Sequence, residues 1–236
     1  MDRFVHDTPE AIVFPGWGVP RGLYFDALEQ TSFASVDIVN YGFFKDEESP
    51  LYTPVFDQEE ENLPPVIAGH SMGALFAVRL ALQNIEAVQR LILINPFPKF
   101  VRDDTFPFGW ERSAVRAMRN GLKRKPDTVI RSFLRTCAMP EKYPGMFPET
   151  FNIQALDEGL AFIEETDIRQ ELTLLAERIP VFVIDGGADQ IVNSEMTSVL
   201  VDACGAVRHT FPEWGHLMIL EHPMECSEQL REMAAL

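Results

Sequence analysis

Residues 65–81, PVIAGHSMGALFAVRLA, join an apolar strand to a helix through a bend of small and polar residues. The run up to His70 predicts a buried strand, and after Met72 the apolar residues recur on one helical face. Between strand and helix stands G-x-S-x-G, a turn that lifts its serine to the top of a sheet. We therefore predict that Ser71 is a nucleophile and not merely part of a tight turn.

The rest of the chain alternates short apolar runs with stretches of helical period. Strands are predicted over residues 10–18, 35–43, 65–71, 88–97, 179–187 and 207–215, and helices over 72–84, 193–203 and 223–234. Nearly continuous Val, Ile and Leu runs between helices are typical of a parallel sheet covered on both faces. The predicted fold is α/β, with about six mostly parallel strands.

Strand patterns are missing between residues 97 and 179. Helices are predicted there over residues 110–125, 127–139 and 152–165. A helical block between two parallel strands predicts an inserted lid, residues 99–176, on a core of residues 1–98 and 177–236. Because open α/β sheets bind ligands at the carboxyl ends of their strands, we expect the lid to cover the site.

A serine hydroxyl needs a base to take its proton, and this fold places the acid and then the histidine after the serine in chain order. His216 follows the last predicted strand on a loop at the correct end of the sheet, and it is our candidate base. The other four histidines fit less well. His6 lies in the N-terminal arm, His70 cannot easily fold back onto its neighbour, His209 lies inside a strand, and His222 begins the last helix.

The candidate acid lies in VFVIDGGAD, residues 181–189, a strand that runs into a Gly-rich loop. Asp189 could orient the imidazole, whereas Asp185 lies nearer the strand, where a buried carboxylate is costly without a partner. We favour Asp189. Acyl chemistry also needs oxyanion donors, for which we predict the backbone N–H groups of Trp17 and Met72.

Charge is distributed unevenly along the chain. The net charge is −16, yet residues 99–142 hold 11 of the 20 basic residues against five acidic ones, a local net charge of +6. The rest of the chain therefore has a net charge of −22, which argues against nucleic-acid binding. Arg112, Arg116, Arg119 and Lys123 share one predicted helical face, and Arg131 and Arg135 lie one turn apart on the next helix.

Composition sets further bounds. The apolar content of 46% indicates a folded protein, and no run approaches the roughly 18 apolar residues of a membrane span. The acidic start lacks the features of a signal peptide, and three widely spaced cysteines match no metal-ligand pattern. We expect a cytoplasmic monomer that binds neither membranes nor metals.

Five segments together resemble the α/β-hydrolase superfamily and, within it, the pimeloyl-acyl-carrier-protein methyl ester esterases of biotin synthesis. They are PGWG (15–18), GHSMGALFA (69–77), GLAFIEETDIRQEL (159–172), DGGADQIV (185–192) and WGHLMILEHP (214–223). The chain departs from the family at Pro15, where the loop usually carries histidine.

The resemblance implies a serine esterase that needs no cofactor, releases methanol from the carrier-bound ester and has acyl carrier protein as its partner. Thr128-Val129-x-Arg131 resembles the family's lid helix, whose arginine contacts the carrier. A basic lid would steer an acidic partner to the site, although the same charges could form an ordinary solvated face. Two other functions stay open: a general short-chain carboxylesterase or thioesterase, and a non-catalytic binding protein of this fold.

Overall fold

The computed structural model describes residues 9–28, 33–45, 63–143, 145 and 147–235. Within these residues, six strands form one sheet in the order β2-β1-β3-β4-β5-β6, and all neighbours are parallel. The strands are β1 (Ala11–Phe14), β2 (Val36–Ile38), β3 (Val66–His70), β4 (Arg90–Ile94), β5 (Val181–Gly186) and β6 (Val207–Phe211). The predicted α/β fold is confirmed. The strands are shorter than predicted because their Gly- and Pro-rich ends leave the sheet as loops.

Helices follow the strands and cover the sheet. They are α1 (Phe25–Leu28), α2 (Met72–Gln83), α3 (Arg112–Leu122), α4 (Pro126–Cys137), α5 (Ile153–Glu165), α6 (Arg169–Leu175), α7 (Ser194–Cys204), α8 (Met218–Glu221) and α9 (Pro223–Ala235), with a 3₁₀ turn over Arg21–Tyr24. The sequence did not predict α1, α6, α8 or the 3₁₀ turn. These are short elements, for which a periodic pattern has too few residues to be visible.

The central strands form the core. Every residue of β1, β3, β4 and β5 is buried, as expected for parallel strands covered on both faces. One helix group, α2, α6 and α7, and a second, α1, α8 and α9, each make contacts among themselves and with the sheet. The sheet therefore holds the carboxyl ends of β1, β3, β4 and β5 in a fixed arrangement.

Helices α3 to α6 lie between β4 and β5 in the chain, in the segment predicted as a lid. The two ends of this inserted segment (residues 99–176) meet where Ile168 N–H donates to the carbonyl of Pro98 at 2.9 Å. Nearby, Lys99 Nζ lies 3.3 Å from Asp167 Oδ2, and Arg169 also holds that carboxylate. Among the described residues, no helix combines the length and apolar character needed to cross a bilayer.

Candidate active site

Ser71 stands on a strained turn between β3 and α2. Its backbone has φ 54° and ψ −120°, a conformation that a residue with a side chain adopts only when its surroundings enforce it. A Cβ on Gly73 would meet the carbonyl oxygen of Phe14 at 2.0 Å, so only glycine lets α2 start this close to β1. Gly73, two positions after the serine, thus permits the sharp turn that brings Ser71 to the end of the sheet.

The candidate base reaches the serine. His216 Nε2 lies 2.8 Å from Ser71 Oγ, although 145 positions separate the two residues in the chain. Both are buried, with 1% of His216 and 6% of Ser71 exposed. A neutral imidazole with its proton on Nδ1 can accept the serine proton at Nε2.

Asp189 lies on the other side of the imidazole. Its Oδ2 is 2.6 Å from His216 Nδ1, and its Oδ1 accepts the backbone N–H groups of Ile191 at 2.7 Å and Val192 at 2.9 Å. Because a carboxylate only accepts hydrogen bonds, it favours the imidazole tautomer that carries the proton on Nδ1. The structure thus brings together the three side chains chosen from the sequence.

The competing residues have other partners. Asp185 pairs with Arg208 at 2.8 and 2.5 Å and accepts the hydroxyl of Thr210 at 2.7 Å. His209 packs against Phe211 on the edge strand β6, and the His222 ring stacks on Trp214. His6 lies outside the described residues.

The loop that carries His216 is fixed through its backbone. The His216 carbonyl accepts Asn95 Nδ2–H at 2.8 Å and a ring N–H of His70 at 2.9 Å, and its own N–H donates to Cys137 O at 3.1 Å. Asn95, at φ 44°, also accepts Gly186 N–H at 2.9 Å through Oδ1 and so links β4 to β5. The sequence patterns do not single out Asn95, whose one signal is its place just before a proline at the end of β4.

The loop after β1 lies beside the serine. A Cβ on Gly16 would be 3.4 Å from Ser71 Cβ, and the Trp17 indole donates to Leu156 O of α5 at 2.9 Å. In the described part of the chain, the N–H groups of Trp17 and Met72 donate to no protein acceptor. Two unpaired donors therefore stand on the two segments that flank the nucleophile.

Comparison with known proteins agrees with this geometry. Residues 6–229 match the family model described as "Alpha/beta hydrolase family". This chain belongs to the α/β hydrolase family. The sequence resemblance is confirmed, and the chain is a hydrolase.

Relatives of this α/β hydrolase include two proteins named pimeloyl-[acyl-carrier protein] methyl ester esterase. The one from Nitrosomonas europaea is 27% identical over 91% of each chain. The one from Xanthomonas oryzae pv. oryzae is 27% identical over 96% of this chain and 95% of its own. Among solved structures, an esterase from Exiguobacterium antarcticum superimposes with a TM-score of 0.81 at 19% identity, covering 97% of this chain and 93% of that one.

The hydrolase has an apolar groove next to the site. A cavity of about 460 Å³ lies between α3 and α4, and its apolar lining includes Phe100, Trp110, Val115, Met118, Val129 and Phe133. The lining residue Phe133 packs against Trp17, with 4.8 Å between the ring centroids. The lining also includes Ile191, whose N–H donates to Asp189. The groove therefore contacts the loop that carries the acid, and its wall packs against the loop after β1.

The basic face of α3 is paired inside the hydrolase. Glu164 of α5, 2% exposed, accepts from Arg112 at 3.0 Å, Arg116 at 2.9 Å and Arg119 at 3.1 Å. Burial alone would raise the pKa of Glu164, but the three guanidinium groups outweigh burial and lower it. The sequence predicts these arginines as carrier-binding residues, and in the structure each of them also pairs with a carboxylate of α5, which lies outside residues 99–142.

Other predicted carrier-binding residues have weaker partners. Lys123 Nζ lies 4.0 Å from Asp157 and is 60% exposed. Arg131 pairs with Asp127 of its own helix at 2.6 Å, and Arg131 and Arg135 both lie over the Phe147 ring. No group of three or more His, Cys, Asp or Glu side chains suited to a metal occurs within the described ranges.

Proposed function

We propose that the protein is a serine esterase that hydrolyses the methyl ester of pimeloyl-[acyl-carrier protein], the substrate in the names of its relatives. The observation that carries the proposal is the hydrogen-bonded chain from Ser71 through His216 to Asp189. This arrangement activates a hydroxyl for attack on an acyl carbon.

Acylation begins when Ser71 Oγ attacks the ester carbonyl and His216 Nε2 takes the hydroxyl proton. The N–H groups of Trp17 and Met72 stabilise the negative charge that develops on the carbonyl oxygen. When the intermediate collapses, the carbon–oxygen bond to the methoxy group breaks, and His216 returns the proton to release methanol. Asp189 stabilises the imidazolium while it carries that proton.

Deacylation uses the same groups in reverse. A water molecule gives a proton to His216 Nε2 and attacks the acyl carbon of the acyl-enzyme. The bond to Ser71 Oγ then breaks, the serine recovers its proton, and the free carboxylic acid leaves. No step requires a metal or redox cofactor.

The groove between α3 and α4 suits the acyl chain. Its wall is mainly aromatic and aliphatic, Phe133 of that wall packs against Trp17, and Ile191 belongs to the loop that carries Asp189. Burying methylene groups there would contribute about 0.8 kcal/mol for each. A substrate with a long apolar chain is therefore expected to bind better than a short one.

We expect the carrier to bind the basic side chains that do not pair with α5. Arg124 and Lys125 are exposed between α3 and α4, and Arg135 is exposed on α4. Among the described residues, these three cations have no carboxylate partner. An acidic carrier would meet them, together with Arg131, at the edge of the groove.

The test compares carrier-bound pimeloyl methyl ester with a p-nitrophenyl ester of similar chain length. Ser71→Ala is expected to abolish hydrolysis of both. Arg131→Glu with Arg135→Glu is expected to lower kcat/KM on the carrier-bound ester about tenfold or more and to spare the free ester. The matched control is Arg178→Glu, which reverses the charge of an exposed residue outside the inserted segment. Arg178, like Arg131, pairs with a surface carboxylate, that of Glu86.

Equal losses on both substrates would remove the carrier from the proposal and leave a general carboxylesterase. Retained turnover in Ser71→Ala would refute the mechanism. A growth test adds a biological readout: an auxotroph lacking its own pimeloyl methyl ester esterase should grow without biotin on this chain and not on Ser71→Ala.

A further inference from the structure

A buried chain of hydrogen bonds connects the loop after β1 to the loop that carries His216. Gly16 N–H donates to Tyr24 Oη at 2.9 Å, Tyr24 Oη lies 2.7 Å from His70 Nδ1, and His70 Nε2 lies 2.9 Å from the His216 carbonyl oxygen. We infer that Tyr24 and His70 are positioning residues that hold the oxyanion loop in register with the base. This role rests on the proposed esterase function.

The donor and the acceptor of each of these three hydrogen bonds are determined. A carbonyl oxygen only accepts, so His70 Nε2 must carry a proton and donate to the His216 carbonyl. Burial, reinforced by the nearby His216, lowers the pKa of His70 to about 3, so the ring holds a single proton near neutrality. Nδ1 is therefore a lone pair that accepts the Tyr24 hydroxyl, whose oxygen is then free to accept Gly16 N–H.

The two side chains have no room to rearrange. Tyr24 and His70 are each 0% exposed, and a Cβ on Gly16 would be 2.9 Å from His70 Nδ1. Burial also raises the pKa of the Tyr24 hydroxyl, so it stays a donor at all working pH values. Tyr24 and His70 therefore form a fixed spacer between the oxyanion loop and the backbone of His216.

The position of Gly16 links this spacer to the chemistry. The next residue is Trp17, whose N–H is a proposed oxyanion donor, and the Trp17 indole is held from the other side by Leu156 O. Without the Tyr24 hydroxyl, Gly16 N–H loses its acceptor, and the peptide that presents the Trp17 N–H can rotate. A shift of about 1 Å in a catalytic group can lower a rate about 10²-fold.

The activity test compares Tyr24→Phe with Tyr143→Phe. Tyr143 is a partly buried residue whose hydroxyl makes no hydrogen bond in the described structure, so its loss controls for removing an oxygen. For Tyr24→Phe, we expect kcat on a p-nitrophenyl ester to fall roughly 10- to 100-fold with KM within about twofold. The Ki of a trifluoromethyl ketone, which forms an oxyanion in the site, should rise by the same factor.

A purely structural role gives a different pattern. It would lower the melting temperature of Tyr24→Phe while leaving kcat and the ketone Ki of the folded protein unchanged, and that result would overturn the inference. His70→Gln keeps one acceptor and one donor, whereas His70→Leu keeps neither. Equal kcat in these two variants would also contradict the role assigned to the ring.

A third measurement does not depend on ester hydrolysis. NMR of protein carrying ¹⁵N-labelled histidine should show the His70 ring neutral between pH 5 and 8, with its proton on Nε2. Tyr24→Phe should change the ¹⁵N chemical shift of Nδ1, which loses its hydrogen bond. Titration of His70 near its ordinary value of 6.5, or a proton on Nδ1, would refute the hydrogen-bond chain. Failure of the unaltered protein on every ester would refute the proposed function while leaving this measurement intact.

Discussion

Asp185 in β5 and Asp189 in the loop that follows lie four positions apart, and their carboxylates bind different partners. Asp189 accepts from the imidazole of His216 at 2.6 Å, while Asp185 is held by Arg208 at 2.5 Å. Asp185 is 2% exposed, and its buried carboxylate is held by Arg208 and by the hydroxyl of Thr210. The Asp189 carboxylate is therefore available to orient His216, and the Asp185 carboxylate stabilises the contact between β5 and β6.

Substitution should separate these two roles. Asp189→Asn is expected to lower kcat about 10³- to 10⁴-fold, because an amide no longer enforces the productive tautomer of His216. Asp185→Asn should instead cost about 3 kcal/mol of unfolding free energy by leaving Arg208 without its partner. Ester hydrolysis and urea denaturation of both variants check the assignment, and the reverse pattern would exchange the two roles.

The Glu164 carboxylate should contribute to stability in a pH-dependent way. Its pKa is lowered in the folded state by three arginines, so its contribution is present above the unfolded value and is lost as pH falls through the folded value. Glu164→Gln should lower the unfolding free energy by about 2–3 kcal/mol at pH 7 and by less at pH 3.

Glu165→Gln is the matched control for that experiment. Among the described residues, Glu165 pairs with Arg112 alone and its side chain is 70% exposed, so its loss should cost no more than about 0.5 kcal/mol. Equal effects of the two substitutions in urea denaturation would show that burial of Glu164 makes no difference.

Glu221 should have the opposite effect to Glu164 on the pH dependence of stability. Burial, with repulsion from Glu141 and Asp189, raises the pKa of Glu221 to about 8, and its oxygens have no hydrogen-bond partner in the described structure. Because the folded state keeps this proton up to about pH 8 and the unfolded chain loses it near 4.5, stability falls as pH rises between these values.

Glu221→Gln stays neutral and should remove that loss. We expect a gain of about 1–2 kcal/mol at pH 8.5 and no gain at pH 4. Denaturation at both pH values tests the prediction, with the exposed Glu228→Gln as control. A gain that is the same at both pH values would contradict the raised pKa.

Gly215 should be required for the position of the base. A Cβ there would lie 2.0 Å from Met139 O, so alanine must separate the His216 loop from the end of α4. We expect Gly215→Ala to lower kcat about 10²-fold. Gly22→Ala, where a Cβ meets nothing within 4 Å, should leave kcat unchanged, and equal kinetics of the two variants would show that this contact does not position His216.

The sequence predicted most of the fold and the positions of the candidate site. The six strands, the long helices and the chain order of serine, acid and histidine depend on local patterns that a sequence displays directly. The structure brings Ser71, Asp189 and His216 together as that order requires, although their catalytic roles, and those of Trp17 and Met72, stay predictions.

The remaining features depend on contacts between distant residues. The carboxylate that pairs with Arg116 comes from Glu164, 48 positions away, and the partner of Tyr24 is His70, 46 positions away. Local charge and periodicity carry no information about such pairs. For this reason the sequence did not predict the ion pairs of the α3 arginines and gave no role to Tyr24, His70 or Asn95.

The central claim is that Ser71 is a nucleophile activated by His216, and labelling with a fluorophosphonate tests it most directly. The serine oxygen should displace fluoride, giving one phosphonyl adduct on the peptide that contains Ser71. The labelling rate should fall about 10³-fold or more in His216→Ala. An adduct on another residue, or an enzyme that hydrolyses esters while Ser71 stays unlabelled, would contradict the account.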